Sequence, residues 1–133
     1  MKDFALHPRL AADTVFIADW PLSRVLLMED ARYPWLVLVP RRPGLVEITD
    51  LNVPDRTRLM EEVARVAEVV RGLPNVAKLN IGALGNLVPQ LHVHVLGRHP
   101  SDPAWPGPVW GHSPAMPYET AVRAALIDLV SSL

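Results

Sequence analysis

From Gln90 to Val95 the chain alternates polar and apolar residues without a break: Gln90, Leu91, His92, Val93, His94, Val95. An extended strand puts residues i, i+2 and i+4 on one side, so this run can bury one face and keep the other polar. It predicts a strand over residues 91–96, with Leu91, Val93 and Val95 against a core. Gln90, His92 and His94 then form a row on the opposite face. Two imidazoles about 6–7 Å apart along such a row match neighbouring oxygens of one phosphate, and equally two ligands of one metal. The plainer reading is a half-buried strand with solvent-facing histidines. The amide in register and the approach Asn80-Ile81-Gly82-Ala83-Leu84-Gly85-Asn86 weigh towards function. Glycine tolerates positive φ and lets backbone N–H groups come close to a ligand.

The surrounding segments set the fold class. Residues 14–18 and 24–28 read as short strands, joined by a turn through Asp19, Trp20, Pro21, Leu22 and Ser23. Residues 35–39 are an unbroken apolar run between Pro34 and Pro40, which fits a central strand buried on both faces. Residues 54–71 repeat Leu59, Val63, Val66 and Val70 as one helical stripe, with Arg58–Glu62 and Glu61–Arg65 spaced to pair on the exposed side. Pro54 suits the first position of that helix and Gly72 its exit. Residues 78–81 read as a further strand. A proline-rich loop spans 99–117, and a closing helix from about Tyr118 carries a stripe of Val122, Ala125, Leu126, Leu129 and Leu133. Strands, a long helix, strands and a last helix predict an α+β fold. Its antiparallel sheet has about five strands, packed with a long central helix and a C-terminal helix, in one domain over residues 1–133.

The composition excludes several classes. With 133 residues, half of them hydrophobic and a fifth charged, the chain can bury a core without staples. A net charge of -1 leaves no broad basic field, which disfavours nucleic acid binding. A small anionic ligand needs only local donors. The absence of cysteine removes disulfides and thiolate metal sites. The N-terminus has no sustained apolar stretch of the signal-peptide kind, and no run approaches a membrane span. The expectation is a soluble cytoplasmic protein without a membrane or nucleic-acid partner.

With these residues in view, the sequence resembles the histidine triad (HIT) family of nucleotide hydrolases and transferases. The family motif is His-φ-His-φ-His-φ-φ, where φ is apolar. QLHVHVL fits every position but the first, where Gln90 replaces histidine. YPWLVLVPRR and LVEITDL look like the family's buried strand and its connection into the long helix. LNIGALGN looks like its phosphate-contacting turn, and the likeness runs over residues 24–110. The resemblance implies that His92 attacks the α-phosphorus of a nucleoside phosphate derivative, of the dinucleoside polyphosphate or phosphoramidate type. A covalent nucleotidyl-histidine forms and water releases the monophosphate. The resemblance further implies a backbone carbonyl holding the other His92 ring nitrogen, and a hydrogen bond from His94 to a phosphate oxygen. It implies phosphate contacts from Asn80 and from the turn at Gly85 and Asn86, and a ribose contact from Asp30 in preference to Glu29. It calls for no cofactor and no metal. It also implies a homodimer built on the long helix and one strand.

Three departures stand out. Gln90, at a catalytic position of the motif, cannot store or donate a proton as imidazolium can. Trp35 stands where the family often has a further histidine, and Leu87 where it has Ser or Thr. Binding should therefore survive better than rate. Beside the enzyme reading stands a nucleotide-binding sensor or regulatory module with little turnover. A metal site on His92 and His94, completed by His99 or His112, ranks last, because zinc wants three or four ligands and the motif has no acidic residue at ligand spacing. Arg98 reads as a solvated strand-end residue within reach of a distal phosphate. Trp105 and Trp110 read as packing the loop onto the body, and His7 carries no assigned role.

Overall fold

Each predicted strand forms, because each is a short apolar or alternating run closed by a turn signal. The protein is described by a computed structural model over residues 3–133. Its strands are β1 (Thr14–Asp19), β2 (Ser23–Met28), β3 (Trp35–Pro40), β4 (Lys78–Gly82) and β5 (Val93–Arg98). They make one antiparallel sheet in the order β1-β2-β3-β5-β4. The helices are α1 (Pro8–Asp13), α2 (Val53–Arg71) and α3 (Thr120–Ser131), with a 3₁₀ turn at Ile48–Asp50. The expected α+β layout is present. The sequence reading passed over α1 and the 3₁₀ turn, since one or two turns carry no readable period.

Strand alternation divides the interior into two cores. On one face Val25, Leu27, Leu36, Leu38, Val93 and Val95 meet Leu59, Val63, Val66 and Val70 of α2. The α3 helix adds Leu126, Ile127 and Val130 to that core, while the expected Val122 and Leu129 remain exposed. Its seat beside β1 therefore selects a neighbouring stripe of a helix with apolar residues on several sides. On the other face Leu26, Trp35, Val37, Val39 and Leu96 are covered by the N-terminal segment with its short α1 and by the proline-rich loop. The N-terminal segment contributes Phe4, Leu6 and Leu10, and the proline-rich loop contributes Ala104, Val109 and Trp110. Every residue of β3 is buried as a result.

The expected Arg58–Glu62 and Glu61–Arg65 pairs do not form. Glu62 turns inward, where its carboxylate accepts the Leu22 and Ser23 N–H groups at 3.0 and 2.9 Å. Arg65 lies over the Trp20 ring at 4.9 Å. Two buried backbone donors at a strand start need acceptors. That need outweighs the few tenths of a kcal/mol of an exposed pair, roughly 0.3–0.5. The N-terminus of α2 is capped by Asn52, which accepts the Asp55 N–H at 2.9 Å.

Candidate active site

The motif strand starts later than its alternation suggests. β5 begins at Val93, whose first ladder partner is Leu38, so His92 sits just before the ladder. Leu91, Val93 and Val95 enter the α2 core as the pattern requires. His92 and His94 face the other way, with ring centroids 4.8 Å apart and planes at 70°. That is closer than the strand repeat, because His92 is free of the pleat. Gln90 leaves the row altogether. Its Oε1 accepts the His7 N–H at 2.8 Å and its Nε2 donates to the Ala5 carbonyl at 2.9 Å. The side-chain amide thus binds a backbone donor and acceptor of the N-terminal segment, much as a neighbouring strand would.

The two histidines are held in opposite tautomers. His92 Nδ1 lies 2.7 Å from the Gln90 carbonyl oxygen. A carbonyl only accepts, so Nδ1 carries the proton and the neutral ring keeps its lone pair on Nε2. His94 Nδ1 lies 3.0 Å from Trp35 Nε1. An indole N–H only donates, so His94 Nδ1 accepts and the neutral ring carries its proton on Nε2. Burial pushes the His94 pKa down to about 3, and the neighbouring His92 adds to the shift. His94 is therefore neutral at pH 7. Neither Nε2 has a protein partner among the described residues, and neither is among the polar atoms sealed from solvent. The arrangement offers one nucleophilic nitrogen and one hydrogen-bond donor, side by side.

Aromatic rings close over this pair. Trp35 and Trp110 lie 5.6 and 5.3 Å from the His94 ring, and 6.3 Å from each other in an edge-on contact. Nothing in the sequence links either tryptophan to His94. The link spans 59 residues for Trp35, and no local pattern reports a contact over that distance. A cleft of about 190 Å³ opens at His92. Its walls are Val46–Thr49, Ala83–Gly85 and Gln90–His92. The Val46–Thr49 wall, at the 3₁₀ turn, lies in the LVEITDL stretch that the resemblance reads only as a connection into the long helix.

The remaining candidates are placed as follows. Gly85 lines the cleft with φ +72, a value that favours glycine. Asn86 is exposed beside it. Asn80 shares the sheet face of His94, since Gly82 pairs opposite His94 and Asn80 opposite Leu96. Its Oδ1 is taken by Arg98 Nη1 at 2.8 Å. Arg98 is not a solvated strand end. It is 2% exposed, forks onto Asp102 at 2.7 and 3.0 Å, and donates to the Gly107 carbonyl at 2.8 Å. Asp30 is also buried. Its carboxylate takes the Arg32 fork at 2.9 and 2.8 Å and the Arg32 and Met116 N–H groups. Burial pushes its pKa up, but Arg32 and the two N–H groups outweigh this and hold it below the usual carboxylate range. The expected ribose-contacting carboxylate is thus committed to its own turn. Glu29 is likewise engaged, with Arg123 at 2.8 Å. His7, His99 and His112 each use Nδ1 in a local contact with the following one or two residues. Among the described residues, no three His, Cys, Asp or Glu side chains converge as a metal site. No helix among them is long and apolar enough to cross a membrane.

A five-stranded antiparallel sheet, a long helix on one face and paired histidines at its inner strand define the class of histidine triad folds. The HIT domain family model matches residues 9–101, and the chain belongs to that family. It is similar to solved histidine triad proteins along almost its whole length. The Bradyrhizobium japonicum protein is 46% identical, with TM-score 0.95 and 98% of each chain covered. The Marinobacter aquaeolei protein is 44% identical at TM-score 0.94, covering 98% of this chain and 96% of its own. The Sinorhizobium meliloti protein is 40% identical at TM-score 0.93, covering 97% and 96%. Comparison with curated proteins returned no match.

Proposed function

We propose that this protein binds a nucleoside phosphate derivative and cleaves it at the α-phosphate through a covalent nucleotidyl-His92, as a phosphohydrolase or nucleotidyl transferase. The observation that carries the reading is the tautomer pair. The Gln90 carbonyl frees His92 Nε2 to attack, and Trp35 gives His94 an Nε2–H to hydrogen-bond the charge that builds at phosphorus. In the first step the P–N bond forms, the bond to the leaving group breaks, and the electron pair leaves with that group. The proton stays on His92 Nδ1, hydrogen-bonded to the Gln90 carbonyl oxygen, which supports the positive ring. In the second step water attacks, the P–N bond breaks, and the pair returns to His92 Nε2 as the water proton passes to solvent. Gly85, and with it Asn86 and Asn80, line the approach proposed for the phosphate. A homodimer through α2 and one strand goes with this reading.

His92→Ala should lower turnover of an adenylated substrate by at least about 10³-fold while nucleotide binding persists. Alkaline quench of the wild type should leave an adenylyl group on His92, read by peptide mass spectrometry. A second reading, a nucleotide-binding module with little turnover, is favoured by the engagement of Gln90 with Ala5 and His7 instead of the site. Tight binding with no monophosphate released from any adenylated compound would decide for it.

A further inference from the structure

We propose that the site is selective for leaving groups that depart as stable anions, so that its substrates are phosphoric anhydrides and not phosphoramidates or alkyl esters. This rests on the α-phosphate chemistry of the preceding section. When His92 Nε2 displaces a phosphate or polyphosphate, the electron pair remains on an oxygen that is weakly basic at neutral pH, and no proton is needed. When it displaces an amine or an alkoxide, a proton must reach the departing atom in the transition state.

The groups around His92 supply hydrogen bonds but no such proton. Position 90, two residues before the nucleophile, is the third polar position of the alternating run. It holds an amide whose oxygen and nitrogen are both bound to the N-terminal segment at 2.8 and 2.9 Å. An amide has no titratable proton to give. His94 has its Nδ1 occupied by Trp35 at 3.0 Å, so its one remaining hydrogen is the Nε2–H of a neutral ring. Losing that hydrogen would leave an imidazolate, so His94 stabilises charge as a donor and is not an acid. Burial, which depresses its pKa to about 3, keeps the imidazolium form out of reach at neutral pH. The Trp35 and Trp110 indoles are donors of the same kind. Trp110 Nε1 is buried without a partner among the described residues. His92 cannot pass on its own Nδ1 proton, because that hydrogen faces a carbonyl oxygen. Among the described residues, the only other titratable side chain lining the cleft is Glu47, on the opposite, exposed wall.

General acid catalysis contributes typically about 10²–10⁴-fold, and this is the factor that a basic leaving group forfeits here. The test is single-turnover release of AMP from four adenylates that share the nucleotide and differ in the leaving group. These are diadenosine tetraphosphate, the p-nitrophenyl ester of AMP, the methyl ester and a primary-amine phosphoramidate. The expected result is a steep fall in rate with leaving-group basicity, with the phosphoramidate at least about 100-fold below the anhydride. Comparable rates for anhydride and phosphoramidate, with adenylyl-His92 trapped from both, would overturn the selectivity while leaving the covalent mechanism standing. No turnover and no adduct with any of the four would overturn the mechanism, and the selectivity with it. Glu47→Gln completes the test. An unchanged dependence on the leaving group is expected, and a loss confined to the phosphoramidate and methyl ester would identify Glu47 as the acid and overturn the inference.

Discussion

At the scale of single residues, the site depends on which nitrogen of each imidazole carries hydrogen, and each tautomer is imposed by one neighbour. Trp35→Phe keeps the aromatic packing and removes only the donor to His94 Nδ1. A buried acceptor is then left unpaired, at a cost of about 1–3 kcal/mol, and the His94 proton can occupy either nitrogen. Long-range ¹H–¹⁵N spectra of the His94 ring should change from the Nε2–H pattern to a mixture, with kcat falling and KM nearly unchanged. Trp35→His, which returns a ring N–H, should recover part of the loss. The depressed His94 pKa also makes stability depend on pH. Between the ordinary value of 6.5 and about 3 the unfolded chain binds a proton at His94 and the folded chain does not. Protons therefore favour unfolding in that window, and stability falls with acid by about 1.4 kcal/mol per pH unit. From pH 7 to pH 5, above the carboxylate range, urea unfolding should show a loss of about 2 kcal/mol. In His94→Gln this contribution should vanish.

At the scale of elements, β5 carries two demands, and the sequence displays only one of them. Its alternation made the sheet face of Leu91, Val93 and Val95 legible, as the apolar run of β3 made its double burial legible. Gly97 lies at the end of the same face. A Cβ there would lie 2.7 Å from Val76 Cγ2 and 3.1 Å from Val70 Cγ1, so the end of α2 and the connection after it approach β5 too closely for a side chain. Gly97→Ala should cost about 1–3 kcal/mol by overpacking, measured by thermal unfolding, and Val76→Ala in the same chain should recover most of it. The same limit explains the misreadings. Glu62 and Arg98 carry charges at positions where a local pattern suggests solvent, and only tertiary partners reveal that both are buried. Gln90 alternates in step with the two histidines, yet the ladder starts at Val93 and frees it to turn towards Ala5 and His7. Periodicity reports a face, and what stands opposite that face is decided by chain tens of residues away.

At the scale of the whole molecule, the two sheet faces are held by different means. The α2 face is covered by regular helix and held mainly by apolar contact, with the Glu62 carboxylate as its polar tie to the start of β2. The histidine face is covered by mostly irregular chain, whose backbone groups must find partners, and one polar side chain, half-buried Gln90 or buried Arg98, fastens each segment. Gln90 fastens the N-terminal segment. Arg98 fastens the proline-rich loop through Asp102 and the Gly107 carbonyl, while Asn80 ties the same guanidinium to β4. Burial pushes the Asp102 pKa up, but Arg98 and two backbone N–H groups outweigh it and hold this carboxyl below its ordinary range. The loop in turn seats Trp110 on His94. Arg98→Met should therefore act on both stability and the site. Leaving Asp102 buried without its partner should cost about 3–5 kcal/mol. Hydrogen exchange should quicken across residues 99–117, and the His94 pKa should rise from about 3 as Trp110 lifts and water enters. If Arg98→Met is too unstable to study, Asp102→Asn keeps one acceptor for the guanidinium and should show the same changes at smaller amplitude. A rise in His94 pKa without faster exchange in the loop would mean that Arg98 acts on the site directly. Faster exchange with an unmoved His94 would mean that Trp35 alone sets its environment.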